Sequence, residues 1–256
     1  MTVEKPTRFV RYGAEGAGRF GILSGDEVRE LEGAPYNGVR ETGRILPASE
    51  VTLLAPCEPS KVIAVGLNYR SHLRGRPTPE RPGLFAKLPS AVIGPDEPIV
   101  IPPDAGEVHY EGELAVVVGR RTRNADREAA GAAVFGIAAG NDVSERFWQR
   151  EDLQWLRAKA SDTFAPIGPA LVHGLDPGDL ALETRVNGER RQAARTRDLI
   201  FDVPTLVSYA SRYFTLLPGD VIFTGTPGTT AALRPGDVVE VEIEGVGVLR
   251  NPVRAG

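Results

Sequence analysis

Apolar and polar residues alternate most strictly near the C-terminal end, where Val239, Val241 and Ile243 stand against Glu240, Glu242 and Glu244. Residues two apart leave a strand on one side, so VVEVEIEGVGVLRN (238–251) predicts a half-buried strand entering a glycine-containing turn. Other runs are apolar on both sides. VIAVGLNY (62–69) and the LAVVV half of EVHYEGELAVVVGR (107–120) predict strands covered on both faces. Residues 8–31 read as a β-meander, with RFVRY alternating and Ser24-Gly25-Asp26 turning between two short apolar runs. Two segments read as helices. NADREAAGAAVFG (124–136) offers Asn124 as N-cap with Asp126 and Glu128 in its first turn, and DVPTLVSYASRYF (202–214) offers Asp202 as cap with Pro204 in its opening turn. Residues 33–42 are loop-like, and Leu53-Leu54-Ala55-Pro56 closes a small N-terminal β domain at 1–57, ahead of a larger domain at 58–256. SHLRGRPTPERPG (71–83) is polar and proline-rich, as a mobile lid or binding loop would be. The fold class is mostly β with a few helices.

Composition narrows the function classes. With 41% apolar and 25% charged residues the chain is globular, and 29 glycines and 21 prolines without a three-residue period favour a turn-rich fold over collagen. A net charge of −4 leaves no electrostatic footprint for nucleic acid. One cysteine, Cys57, and three histidines are too few for a disulfide framework or a structural zinc site, and Cys57 reads as inert. The opening MTVEKPTRFVRYG lacks a hydrophobic signal core, and no run approaches a membrane span, so a cytoplasmic protein is expected. Gly16-Ala17-Gly18-Arg19-Phe20-Gly21 has the letters of a dinucleotide fingerprint, but that motif must open a helix and ILSGDE follows, so a glycine-rich hairpin is the better reading. Neither a P-loop nor a nucleophile elbow is present.

The informative motif is Glu111-Gly112-Glu113. On a strand both carboxylates project from one face, and such a pair repels unless a hard cation such as Mg²⁺ or Mn²⁺ neutralises it. The same spacing at Glu240, Glu242 and Glu244 reads as a solvated face, whereas Glu113 runs directly into an apolar stretch. Asp142 ends the apolar AVFGIAAG segment, either as a third ligand or as a side chain capping a turn.

Eight blocks in order then resemble the fumarylacetoacetate hydrolase superfamily across about residues 60–252. They are GLNYRSH (66–72), FAKLPSAVIGP (85–95), HYEGELAVVVGR (109–120), NDVSERFWQ (141–149), WLRAKASDTFAPIGP (155–169), VNGERRQ (186–192), DLIF (198–201) and LLPGDVIFTGTPGTTAALRPGD (216–237). Isomerase/decarboxylases of homoprotocatechuate breakdown, acylpyruvate hydrolases and oxaloacetate decarboxylases of that superfamily look most similar. The resemblance implies a β-rich sandwich or roll, a homodimer, and Mg²⁺ or Mn²⁺ on Glu111, Glu113 and Asp142. It also implies Lys159 beside the metal, Arg146, Gln149 and Thr226 as substrate contacts, and His72 at the start of the lid. A small 2-oxo acid can chelate a cation through its carboxylate and keto oxygens, which stabilises an enolate. Lys159 can neutralise the substrate and Arg146 can fork onto a distal carboxylate, or Arg146 can form a surface pair.

One position departs from the pattern. Hydrolytic members carry a glutamate three residues after the lid histidine, where this chain has Gly75. His72 is then either an unassisted base or a hydrogen-bonded loop histidine, and Glu80 is the candidate substitute. The expected reaction is isomerisation, like that of 2-hydroxyhepta-2,4-diene-1,7-dioate isomerases, or decarboxylation. Acylpyruvate hydrolysis or oxaloacetate decarboxylation is the alternative, and a binding protein without turnover is the reading from another class.

Overall fold

The computed structural model describes residues 6–13 and 18–256. Its larger sheet has 12 strands. The main path runs Glu41–Pro47, Glu27–Leu31, Arg19–Ser24, Thr7–Tyr12, Ala165–His173, Val134–Asn141, Gly112–Val118, Val221–Phe223, Val62–Gly66 and Gly83–Lys87. A five-stranded sheet runs Glu189–Arg195, Ala181–Val186, Val238–Ile243, Gly247–Ala255 and Ile99–Ile101. The strand Gly112–Val118 shows why the core lies where it does. Leu114, Val116 and Val118 pack with Leu182, Val241, Ile243 and Leu249 of the smaller sheet, while Ala115 and Val117 enter a second cluster with Phe9, Ile22, Leu171 and Phe223. Both faces are covered, as its unbroken apolar run requires. The N-terminal meander is continuous with the large sheet through Thr7–Tyr12, whose Phe9 pairs with Leu171.

Of the Gly16–Gly21 run, Gly16 and Ala17 lie outside the described residues, and the remainder enters the strand Arg19–Ser24 rather than a helix. Cys57 is buried, and burial pushes its thiol up to about 12. Among the described residues no helix is long and apolar enough to cross a membrane.

Two expectations are corrected. The helix read over 124–136 is only α1 (Arg127–Gly131), capped by Asp126, which accepts from the Ala129 N–H at 2.8 Å. Asn124 has φ +56°, outside the extended backbone of an N-cap, and Val134–Asn141 is drawn into the large sheet beside Gly112–Val118. The strand read over 107–120 is broken as well. Val108–His109 pairs with Ser144–Glu145 in a two-stranded sheet, and regular pairing resumes only at Gly112. Three further helices follow: α2 (Arg146–Glu151), α3 (Leu156–Ala160) and α4 (Val203–Tyr213). α4 begins as its sequence predicts, with Asp202 accepting from the Thr205 N–H at 3.1 Å and Val203, Leu206, Val207 and Ala210 buried.

Candidate metal centre and its cavity

The register Gly112↔Asn141, at neighbouring ends of two central strands, brings Glu111, Glu113 and Asp142 together. One oxygen from each lies within 4.8 Å of the others, and all three residues are buried. Glu111 sits just ahead of its strand. Its N–H donates to Asn141 Oδ1 (2.9 Å), and its carbonyl accepts from the Asp142 N–H (2.9 Å). Gly112 is required between the two glutamates because a Cβ there would come within 1.9 Å of Thr184 Oγ1. Glu113 accepts from the Gly225 N–H at 2.6 Å.

Cations surround the triad. Lys159 of α3, itself buried, donates to Glu111 Oε2 (2.7 Å) and Asp142 Oδ2 (2.8 Å), and its ammonium stands 4.8 Å from the centre of the Phe85 ring. Arg146 donates to Glu111 Oε1 (2.5 Å), to Thr230 Oγ1 (2.9 Å) and to Gln149 Oε1 (2.8 Å). Lys87, fully buried, pairs with Asp142 and donates to the Lys159 carbonyl. Burial opposes ionisation of Glu111, but Lys159 and Arg146 outweigh it and hold its pKa below the ordinary value. Among the described residues Glu113 forms no ion pair. Burial first, then the charges of Asp142 and Glu111, push its carboxyl well above the usual range. Burial also lowers Lys87, whereas Lys159 is raised because Asp142 and Glu111 overcome its desolvation.

A divalent cation fits this donor set. Three convergent carboxylates make a hard oxygen site, and Glu113 is the acid on which burial and the neighbouring carboxylates outweigh the help of Gly225 and Lys159. Among the described residues Asn141 Nδ2, a buried donor beside the triad, has no partner.

A cavity of about 590 Å³ opens onto the centre, with His72, Glu111, Glu113, Arg146, Gln149, Lys159 and Thr226 on its wall. Asp142 lies behind that wall, 1% exposed. His72 follows Arg70 and Ser71 in a short 3₁₀ turn, and its Nδ1 lies 2.6 Å from the Gly228 carbonyl. A carbonyl only accepts, so Nδ1 carries a proton, and in the neutral ring Nε2 keeps the lone pair. Burial lowers the pKa of this ring, with Glu111 acting in the opposite direction. Thr226 donates to the Gly112 carbonyl (2.9 Å) and accepts from Gln192 Nε2 (2.9 Å). A second cavity, of about 610 Å³, has Val134, Phe135 and Leu175 in its walls and shares no residue with the first.

Eight of the nine residues singled out from the sequence therefore gather at one place. The ninth, Glu80, is exposed and absent from the cavity wall, so the structure does not bring it to His72. Lys87, Gln192, Thr230 and the Gly228 carbonyl were not singled out. Lys87 alone left a trace, as one charge between apolar residues in LFAKL.

Residues 61–254 match the family model described as fumarylacetoacetate (FAA) hydrolase C-terminal, and residues 7–56 match one described as Rv2993c-like, N-terminal. The mitochondrial oxaloacetate tautomerase FAHD2B of Bos taurus is 44% identical over 224 residues, covering 82% of this chain and 71% of its own length. The crystal structure of 5-carboxymethyl-2-hydroxymuconate delta-isomerase from Mycobacterium smegmatis has a TM-score of 0.92 at 45% identity, covering 97% of this chain and 100% of that one. Maleylpyruvate hydrolase from Sphingobium sp. SYK-6, solved with manganese(II) and pyruvate, has a TM-score of 0.80 at 32% identity, with 97% and 99% covered.

Proposed function

The chain belongs to the fumarylacetoacetate hydrolase family, and from that premise we propose that it is a Mg²⁺- or Mn²⁺-dependent isomerase or decarboxylase of small 2-oxo or enolisable diacids. The observation that carries this reading is the pairing, in one cavity, of a buried acidic triad with a neutral histidine whose free nitrogen is Nε2. A divalent cation on Glu111, Glu113 and Asp142 would supply Lewis-acid polarisation of the 2-oxo group. His72 Nε2 then removes a proton from the adjacent carbon and returns it to another, which is general acid–base catalysis worth about 10²–10⁴-fold. Lys159 balances the negative charge that develops on the oxygen, and Arg146, Gln149 and Thr226 orient the acid along the wall.

The Gly228 carbonyl holds the His72 ring in the tautomer a base needs, but it adds no negative charge to activate a water molecule. This favours proton transfer and decarboxylation over C–C hydrolysis. Turnover of oxaloacetate, acylpyruvates and 2-hydroxydienoate diacids, measured with Mg²⁺ and Mn²⁺, tests the reading. Enolisation or decarboxylation is expected to exceed acylpyruvate cleavage. Efficient acylpyruvate cleavage would select the hydrolase alternative, and metal-dependent binding without any turnover would select the binding protein.

A further inference from the structure

Arg146, the guanidinium beside the triad, is already engaged by Glu111, Thr230 and Gln149. The same cavity wall holds three more arginines, Arg74, Arg76 and Arg150. Among the described residues none of these three side chains meets a carboxylate, although Glu107, Glu111 and Glu113 share the wall. Arg150 instead lies over the Phe147 ring, 4.5 Å from its centre.

Arg74 and Arg76 are placed by their backbone. The Arg76 N–H donates to the Leu73 carbonyl at 3.0 Å, and the two residues between have φ +49° and +82°. This is a tight turn with both central residues left-handed, a geometry that favours glycine at position 75 and costs on the order of 1 kcal/mol at a residue such as Arg74. The turn places both arginines on the wall of the cavity that His72 also lines. Two arginines without a carboxylate partner among the described residues, on the same wall as the buried acids, form a receptor for a second anionic group, because guanidinium forks pair with carboxylates through charge-assisted hydrogen bonds.

We propose that Arg74 and Arg76 receive the distal carboxylate of the substrate and make the site selective for 2-oxo dicarboxylates over 2-oxo acids with uncharged tails. The assignment rests on the 2-oxo acid reading of the triad and adds the residues that set its specificity.

The test uses 2-oxoglutarate and 2-oxopentanoate, which differ only in whether the far end is a carboxylate or a methyl group. Their dissociation constants are measured by calorimetry on the full chain with Mn²⁺. The natural protein is expected to bind 2-oxoglutarate at least about tenfold more tightly, as for two partly exposed charge-assisted contacts. Arg74→Ala with Arg76→Ala should bring the ratio close to one, and Arg74→Lys with Arg76→Lys should restore part of it. Both positions are exposed, so the substitutions leave the core untouched. An equal affinity for the two acids in the natural protein, or an unchanged ratio in the double alanine variant, overturns the proposal. If oxaloacetate is nonetheless turned over, the triad reading stands and only the arginine assignment falls. Failure to bind either acid, with no turnover of any 2-oxo acid, removes both.

Discussion

His72 faces Glu111, which favours its protonated form, and Arg146 and Arg74, which oppose it, but burial dominates and lowers its pKa below the usual 6.5. Protonation therefore costs the fold more than it costs the unfolded chain. The stability His72 contributes is complete above about pH 6.5 and is lost as pH falls through its lowered value. The base is available over the same range, so kcat/KM is expected to stay flat around neutrality and to fall only at pH values below about 6.5. His72→Gln should remove that acid limb along with most of the activity; an unchanged pH profile in the variant would exclude His72 as the base. Lys87 yields a second expectation. Removing one partner of a buried pair strands the other, so Lys87→Met should destabilise the metal-free protein by about 3 kcal/mol in urea unfolding, and a change under 1 kcal/mol would show that Lys159 alone satisfies Asp142. At this scale side-chain chemistry was legible where spacing carries it, as in Glu111-Gly112-Glu113. The Gly228 carbonyl was not, because a backbone acceptor is the same at every residue and only the folded path puts it on His72.

At the scale of elements, legibility followed periodicity. The strand Val238–Ile243 and the helix Val203–Tyr213 lie where alternation and capping place them. The helix read over 124–136 failed because Ala and Gly, abundant in that stretch, have no strong directional pattern. The sheet's demand for a partner along Gly112–Val118 then decided the state of Val134–Asn141. Glu80 stands exposed and off the cavity wall for a related reason: proximity along a proline-rich loop says nothing about which way the chain turns after Gly75. The caps that hold α4 are testable. Asp202 accepts from the Thr205 N–H and also pairs with Arg127 from the start of α1, tying two helices at one point. Asp202→Ala should cost about 1 kcal/mol through the lost cap, with little from the exposed ion pair. An equal loss in Arg127→Ala would show that the ion pair, not the cap, holds α4.

Across the whole molecule, the large sheet carries residues from distant parts of the chain to one end of its central strands, where the triad forms only once both strands are paired. In the unfolded chain Glu111 and Glu113 are separated from Asp142 by the helix and strand that fold between them. Mn²⁺ is therefore expected to bind the folded state far more tightly, and by linkage to stabilise it. At a free concentration 100 times its dissociation constant the gain is about 2.7 kcal/mol. For a chain of this length that corresponds to a rise in Tm of about 5 °C or more. Glu113→Gln supplies the control. Its amide oxygen can still accept from the Gly225 N–H, so the local fold is kept while one anionic ligand is lost. The variant should melt as a folded protein in EDTA and show little response to Mn²⁺. A natural protein whose Tm is indifferent to both Mn²⁺ and Mg²⁺ would mean that Lys159, Lys87 and Arg146 already satisfy Glu111 and Asp142, leaving the centre a structural ion network rather than a metal site.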